Sequence, residues 1–256
     1  MTTRVSFSDH FSSQSDAYSL YRPAYPSSLF EYLASVSPTT ELAWDCATGN
    51  GQAALGLSEY FTRVIATDVS PEQINNAKPH EKIKYHVGSA EQSGIKSQAI
   101  DLLVVAQALH WFNFELFYEE AKRVLKREGI LAVISYQLPR INTDINAIID
   151  EFHHGTLGQY WPAERQHVDY AYAGISFPLQ EIPSPTLIME HDWTLDQFLG
   201  YLRSWSAVVY FEEEQKQNPI ELIRKKLTST WKAEDQKMFI QWPLTLRVGK
   251  FEHSDI

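Results

Sequence analysis

The chain of 256 residues carries 32 acidic and 22 basic side chains, a formal charge of -10, and so lacks the clustered basic surface a nucleic-acid substrate demands. No window approaches the roughly 18 consecutive apolar residues of a membrane span, and the N-terminus has no apolar leader, so a protein without membrane contact is expected. A single cysteine, Cys46, excludes an internal disulfide and a cysteine-rich zinc site, which points to a reducing, cytoplasmic setting.

Residues 1–16 are polar, serine-rich and aperiodic, and 1–25 are expected to form an N-terminal flap. Behind Pro26, the spacing of Leu29, Phe30, Leu33 and Val36 predicts a helix over 26–36. Apolar runs and helical segments then alternate: strand 42–46, helix 51–60, strand 63–67, helix 71–78, strand 83–87, strand 100–106, helix 114–127, strand 130–136. Such alternation predicts a mostly parallel α/β sheet with helices on both faces and a ligand beyond the carboxyl ends of its strands. After Tyr136 a helix is expected over 144–154, followed by an aromatic, proline-punctuated stretch without clear period over 155–185. Strand 186–191, helices 194–205 and 219–231, and an alternating run from Phe239 to Val248 close the pattern. The expected organisation is a cofactor core over 26–139, a substrate-cap insertion over 140–185, and a sheet completed over 186–256 with cap helices inserted.

The most telling stretch is Leu42-Ala-Trp-Asp-Cys-Ala-Thr-Gly-Asn-Gly51, an apolar run ending in an aspartate and two glycines. Glycine lets the backbone turn sharply and bring its N–H groups close to a ligand. Asp45 works against a pyrophosphate, which wants positive surroundings, and favours a ligand bearing cationic groups. Asp68, ending the second apolar run, suits a ribose whose hydroxyls its two oxygens accept. Gly88-Ser-Ala-Glu91 places another carboxylate at a third strand end, where an adenine edge would lie.

These pieces, with Asp68-Val-Ser70, Ser89-Ala-Glu91 and Ala106-Gln-Ala-Leu-His-Trp111, resemble the class I S-adenosylmethionine-dependent methyltransferases. Tyr18, Arg22-Pro23, Tyr25-Pro26 and Ala108-Leu-His-Trp111 are most similar to the small-molecule branch that contains trans-aconitate methyltransferase. The resemblance implies a Rossmann-like sheet of seven strands, mostly parallel with an antiparallel last strand, and a C-terminal helical cap. Within it, 186–191 and 244–250 would form the antiparallel edge pair. It implies S-adenosyl-L-methionine as cofactor, contacted by Tyr18, Arg22, Asp45, Ala47, Gly49, Gly51, Asp68, Val69, Ala90, Glu91 and Gln107. Ala47 replaces the usual first glycine of the loop, and an ordinary backbone conformation with φ below zero is expected there. His110 and Trp111 are the catalytic candidates, and Tyr136, Arg140, Arg203 and Trp205 the substrate candidates, with Arg165 a further cation in the cap.

The implied reaction is methyl transfer to a small organic molecule, most simply onto a carboxylate oxygen. A carboxylate is ionised at neutral pH and leaves His110 to orient it, whereas a phenol or hydroxyl acceptor would make His110 a base. No metal is expected, and a monomer or homodimer is. Two other functions fit parts of the pattern. Gly49-Asn-Gly-Gln-Ala-Ala54 satisfies G-x-G-x-x-A and Tyr118 and Lys122 make a Tyr-x-x-x-Lys, as in an NAD(P)-dependent dehydrogenase, though on the wrong helix. A non-catalytic S-adenosylmethionine-binding protein would share the same loop.

Overall fold

The computed structural model describes residues 22–252. Tyr18 lies outside them. The elements are α1 (Ser27–Val36), β1 (Leu42–Cys46), α2 (Gln52–Ser58), β2 (Arg63–Asp68), α3 (Pro71–Asn76), β3 (Ile83–Val87), β4 (Ile100–Ala106), α4 (Phe114–Val124), β5 (Leu125–Tyr136), α5 (Thr143–Glu151), α6 (Gln166–Asp169), β6 (Gln180–Ile182), β7 (Ile188–Trp193), α7 (Leu195–Arg203), α8 (Ser206–Gln215), α9 (Ile220–Trp231) and β8 (Met238–Lys250). Among the described residues no helix is long and apolar enough to cross a membrane.

The strands run in the order β3-β2-β1-β4-β5-β8-β6, with β7 also pairing with β8. β1 to β5 pair in parallel and β8 lies antiparallel to β5, from Leu131 opposite Gly249 to Tyr136 opposite Leu244. The strand order reverses between β1 and β4, so crossovers leave in opposite directions there and open a crevice at the carboxyl ends. Both faces of the sheet are covered, which is why β4 reads as an apolar run from Leu102 to Ala106. Leu102 and Val104 pack with Leu29, Leu33 and Leu57 of α1 and α2, while Leu103 and Val105 pack with Phe117, Ala121 and Val124 of α4. Each such side chain is fully buried, and each of the leucines, valines and Phe117 contributes about 1.5–3 kcal/mol by leaving water.

The expected edge pair is corrected in register. β7 does pair with β8, but with its first half, from Ile188 opposite Pro243 to Trp193 opposite Met238. Residues 244–250 instead lie between β5 and the short β6, which pairs from Gln180 opposite Lys250 to Ile182 opposite Val248. Pro243 marks the change of partner: it has no N–H to donate, so a ladder is most easily exchanged there. The expected helix 194–205 is α7, started by a capping box of Thr194 and Gln197, and a further helix, α8, follows it. α5, α7, α8, α9, β7 and the first half of β8 enclose a separate apolar cluster with Phe198, Trp231 and Trp242 at its centre.

Candidate functional site

A cavity opens at the switch point, above the ends of β1, β2, β4 and β5. Asp45, the penultimate residue of β1, is fully buried beneath it. Thr48 Oγ1 donates to its Oδ2, while Oδ1 is buried without a hydrogen bond of normal geometry. Burial pushes this carboxyl up to about 7, with Asp68 adding to the shift and the Thr48 hydroxyl opposing it. Asp68, at the end of β2, ties the loop together: Oδ2 accepts from the Gly49 amide and Oδ1 from the Ser70 amide, each at 2.9 Å. Ser70 then caps α3 by accepting from the Gln73 amide, with Pro71 at the first helical position.

Ala47 departs from the expected backbone. Its φ is 58°, in the left-handed region, as is that of Gly49 at 57° and Gly51 at 90°. The loop keeps the conformation a glycine would adopt, held by Thr48 N donating to Thr67 O at 2.9 Å and by the Asp68 bond to Gly49. The alanine therefore carries strain that the two glycines do not. Gly51, an expected cofactor contact, caps the start of α2 and does not line the cavity.

Val69 and Ala90 line the cavity, as does Glu91, which accepts from Ser89 Oγ and from the Asn113 amide and so joins the β3–β4 connection to the start of α4. Gln107, just past β4, has φ of 57°; its Nε2 donates to Tyr136 O at 3.2 Å, and its Oε1 is buried with no donor. Gln73 Oε1 is in the same state. The cavity is thus lined by three carboxylates, Asp45, Asp68 and Glu91, and by buried oxygens awaiting donors, with no Lys, Arg or His among its described lining residues. A ligand carrying ammonium, amino and hydroxyl donors fits this chemistry. A dinucleotide pyrophosphate would meet three carboxylates and no cation.

A second, smaller cavity adjoins the first and shares Gln107 and Trp111 with it. Its character is opposite: Arg22, Arg165 and His110 face it together with the indoles of Trp111, Trp161 and Trp205. Arg22 donates to Tyr136 Oη at 2.8 Å and to Ser204 O at 2.9 Å, bracing β5 against the end of α7. Tyr136 itself lines the first cavity. Arg165 lies 5.0 Å over the Trp161 ring. Trp205, 4% exposed, stacks on Phe152 and belongs as much to the cap core as to the cavity. His110 sits in a single turn, Leu109–Trp111, beyond β4, with Nδ1 2.9 Å from Tyr172 Oη. Burial, aided by the positive charge of Arg165 and by the neighbouring His167, lowers its pKa to about 3, so the ring is neutral at physiological pH.

The cap arginines divide. Arg140 lines neither cavity; it pairs with Asp150 at 3.1 Å, and its backbone bridges to Gln241. Arg203 lies 3.9 Å from Glu221, half exposed, and also lines neither. Arg165 is the cap cation that reaches the site. Sequence reasoning did not single out Thr48, Gln73, Trp161 or Tyr172: the last two lie in the stretch without period, where no local signal marks a residue placed by tertiary packing. Tyr118, of the Tyr-x-x-x-Lys, donates to Ser176 O at 2.7 Å from the buried side of α4, away from both cavities. Among the described residues no cluster of His, Cys, Asp and Glu could hold a metal ion.

A methyltransferase domain model matches residues 44–133, which span β1 through most of β5. A Dictyostelium discoideum protein named as a methyltransferase is 33% identical over 98% of both chains. A Saccharomyces cerevisiae protein named as an S-adenosylmethionine-dependent methyltransferase is 23% identical over 80% of this chain and 83% of its own. A solved structure from Anaeromyxobacter dehalogenans, described as a type II methyltransferase, superposes with a TM-score of 0.85 at 37% identity, covering 91% of this chain and all of that one. With the crevice, the acid-lined cavity and these relatives in agreement, the chain belongs to the class I S-adenosylmethionine-dependent methyltransferases that act on small molecules.

Proposed function

We propose that the protein binds S-adenosyl-L-methionine in the acid-lined cavity and methylates a small organic anion, most simply a carboxylate, in the adjoining one. The observation that carries this is the opposed polarity of two cavities sharing Gln107 and Trp111. When bound, the cofactor supplies an electrophilic methyl group on a sulfonium. Asp68 is placed to accept from ribose hydroxyls while anchoring the loop amides, and the unpartnered oxygens of Asp45, Gln73 and Gln107 are acceptors for the cofactor's amino and ammonium donors. Arg22 and Arg165 supply positive potential for the acceptor, and Trp111, Trp161 and Trp205 exclude water from it. A carboxylate needs no deprotonation, so positioning carries the rate. This is the chemistry of the trans-aconitate methyltransferase-like branch.

Calorimetric titration with S-adenosylhomocysteine and, separately, NADH tests the cofactor. Micromolar binding of the sulfur nucleoside, weakened at least about tenfold by Asp68→Ala through the loss of ~1.4 kcal/mol or more, is expected. Binding of NADH alone would refute the proposal. Methyl-labelled cofactor offered with a panel of small acids then tests catalysis, the expected product being a base-labile methyl ester.

A further inference from the structure

Between α6 and β6 the chain passes through two successive left-handed residues, Ala171 at φ 52° and Tyr172 at 58°. Neither is glycine, and such a conformation costs about 1–2 kcal/mol per residue, so the surrounding structure enforces it. Tyr172 N donates to His167 O at 2.7 Å, and the side chain, 1% exposed, turns under the second cavity to meet His110.

The direction of the hydrogen bond between Tyr172 Oη and His110 Nδ1 follows from the donors present. Among the described residues the phenol proton has no acceptor other than Nδ1. Were Nδ1 protonated, the phenol O–H would be buried with nothing to donate to, a loss of about 1–3 kcal/mol. The phenol is therefore the donor. A neutral imidazole that accepts at Nδ1 carries its proton on Nε2. Nε2 has no protein partner among the described residues, and the ring lines the cavity. Arg165, which lines the same cavity, opposes a second proton.

We infer that Tyr172 is a positioning residue that fixes His110 as an Nε2–H donor facing the acceptor cavity, so that the site selects acceptor oxygens already ionised in solution. The inference rests on the second cavity being the acceptor site. His110 then steadies a carboxylate by donating to one oxygen while the other uses its own lone pair to form the new O–C bond; the methyl–sulfur bond of the sulfonium would break as it forms, its electron pair staying on the sulfur of a neutral thioether, and no proton passes to the protein. A phenol or alcohol, which must lose a proton, finds no base in this ring.

The tautomer is observable directly. Two-bond 1H–15N correlation spectra of labelled protein, with His110 assigned by its disappearance in His110→Gln, should show protonated Nε2 and bare Nδ1, unchanged across about pH 5.5–8.5. In Tyr172→Phe the ring should gain the Nδ1–H tautomer or begin to titrate in that range. Bare Nε2 or an imidazolium in the unmutated protein at neutral pH would overturn the inference, a result that does not depend on whether Tyr172→Phe folds. A His110 spectrum untouched by Tyr172→Phe would overturn the role of Tyr172. Label from methyl-labelled cofactor entering carboxylates but not matched phenols is expected, and label entering phenols alone would count against the selection. Titrating the same sample with S-adenosylhomocysteine separates the two levels: the expected tautomer without nucleoside binding would sink the proposed function and leave the tautomer standing.

Discussion

Ala47 and Asp45 sit within three residues of each other, and each is held in a state its side chain disfavours. Ala47 at φ 58° bears a left-handed penalty of about 1–2 kcal/mol, of which Ala47→Gly would return part to the more flexible unfolded chain. The substitution is expected to stabilise the protein by about 0.5–1 kcal/mol in urea denaturation, and an unchanged or lowered midpoint would mean the loop tolerates the alanine without strain. Asp45 couples folding to pH. Its carboxyl titrates near 3.8 in the unfolded chain and about 7 when folded, so across that window the folded state holds the extra proton. Stability contributed at this site is therefore greatest below the unfolded value and falls as pH rises through the window, by an amount on the order of 4 kcal/mol. Asp45→Asn should raise the melting temperature relative to the unmutated protein above about pH 7 and lose that advantage by about pH 4. A constant difference between the two melting curves at all pH values would show that Asp45 is already ionised in the fold.

The turn from β1 into α2 depends on its glycines unequally. A Cβ at Gly51 would strike the Tyr85 ring in addition to its positive φ, whereas at Gly49 the nearest atom is Gln73 Oε1 at 3.9 Å. Gly51→Ala should cost about 2 kcal/mol or more and Gly49→Ala about 1 kcal/mol in denaturant unfolding, and equal losses would place the strain elsewhere in the loop. The same turn shows why some elements were legible. β1, β3 and β4 match their expected limits, and the acids at the ends of β1 and β2 fall at the crevice. β6 was not legible: three residues, mostly exposed, carry no period. α8 buries only Ala207, Val208 and Phe211 before a run of glutamates, too thin a face to announce a helix. Of the cap cations, Arg165 reaches the site over the Trp161 ring, with Asp169 Oδ1 3.4 Å from its Nε, while Arg140 and Arg203 pair with acids that line neither cavity. Such placements depend on partners remote in sequence.

One strand joins the two halves of the molecule. The first half of β8 closes the cap cluster against β7, and its second half closes the sheet between β5 and β6. Tyr25 and Leu244 pack against both the cap cluster and the cluster beneath β4, and Arg22 hydrogen-bonds to Tyr136 of the sheet and to Ser204 of the cap. Unfolding the cap alone would expose Trp242 and Ile240 on a strand still required by the sheet, so the cap has no independent route to melt. Calorimetry is therefore expected to give one unfolding transition. S-adenosylhomocysteine, if it binds in the acid-lined cavity as proposed, should move that whole transition upward, by about 2.7 kcal/mol of stability at a hundredfold excess over its dissociation constant. Two transitions, of which the nucleoside shifts only one, would show that the cap folds separately and that acceptor access is governed by its opening.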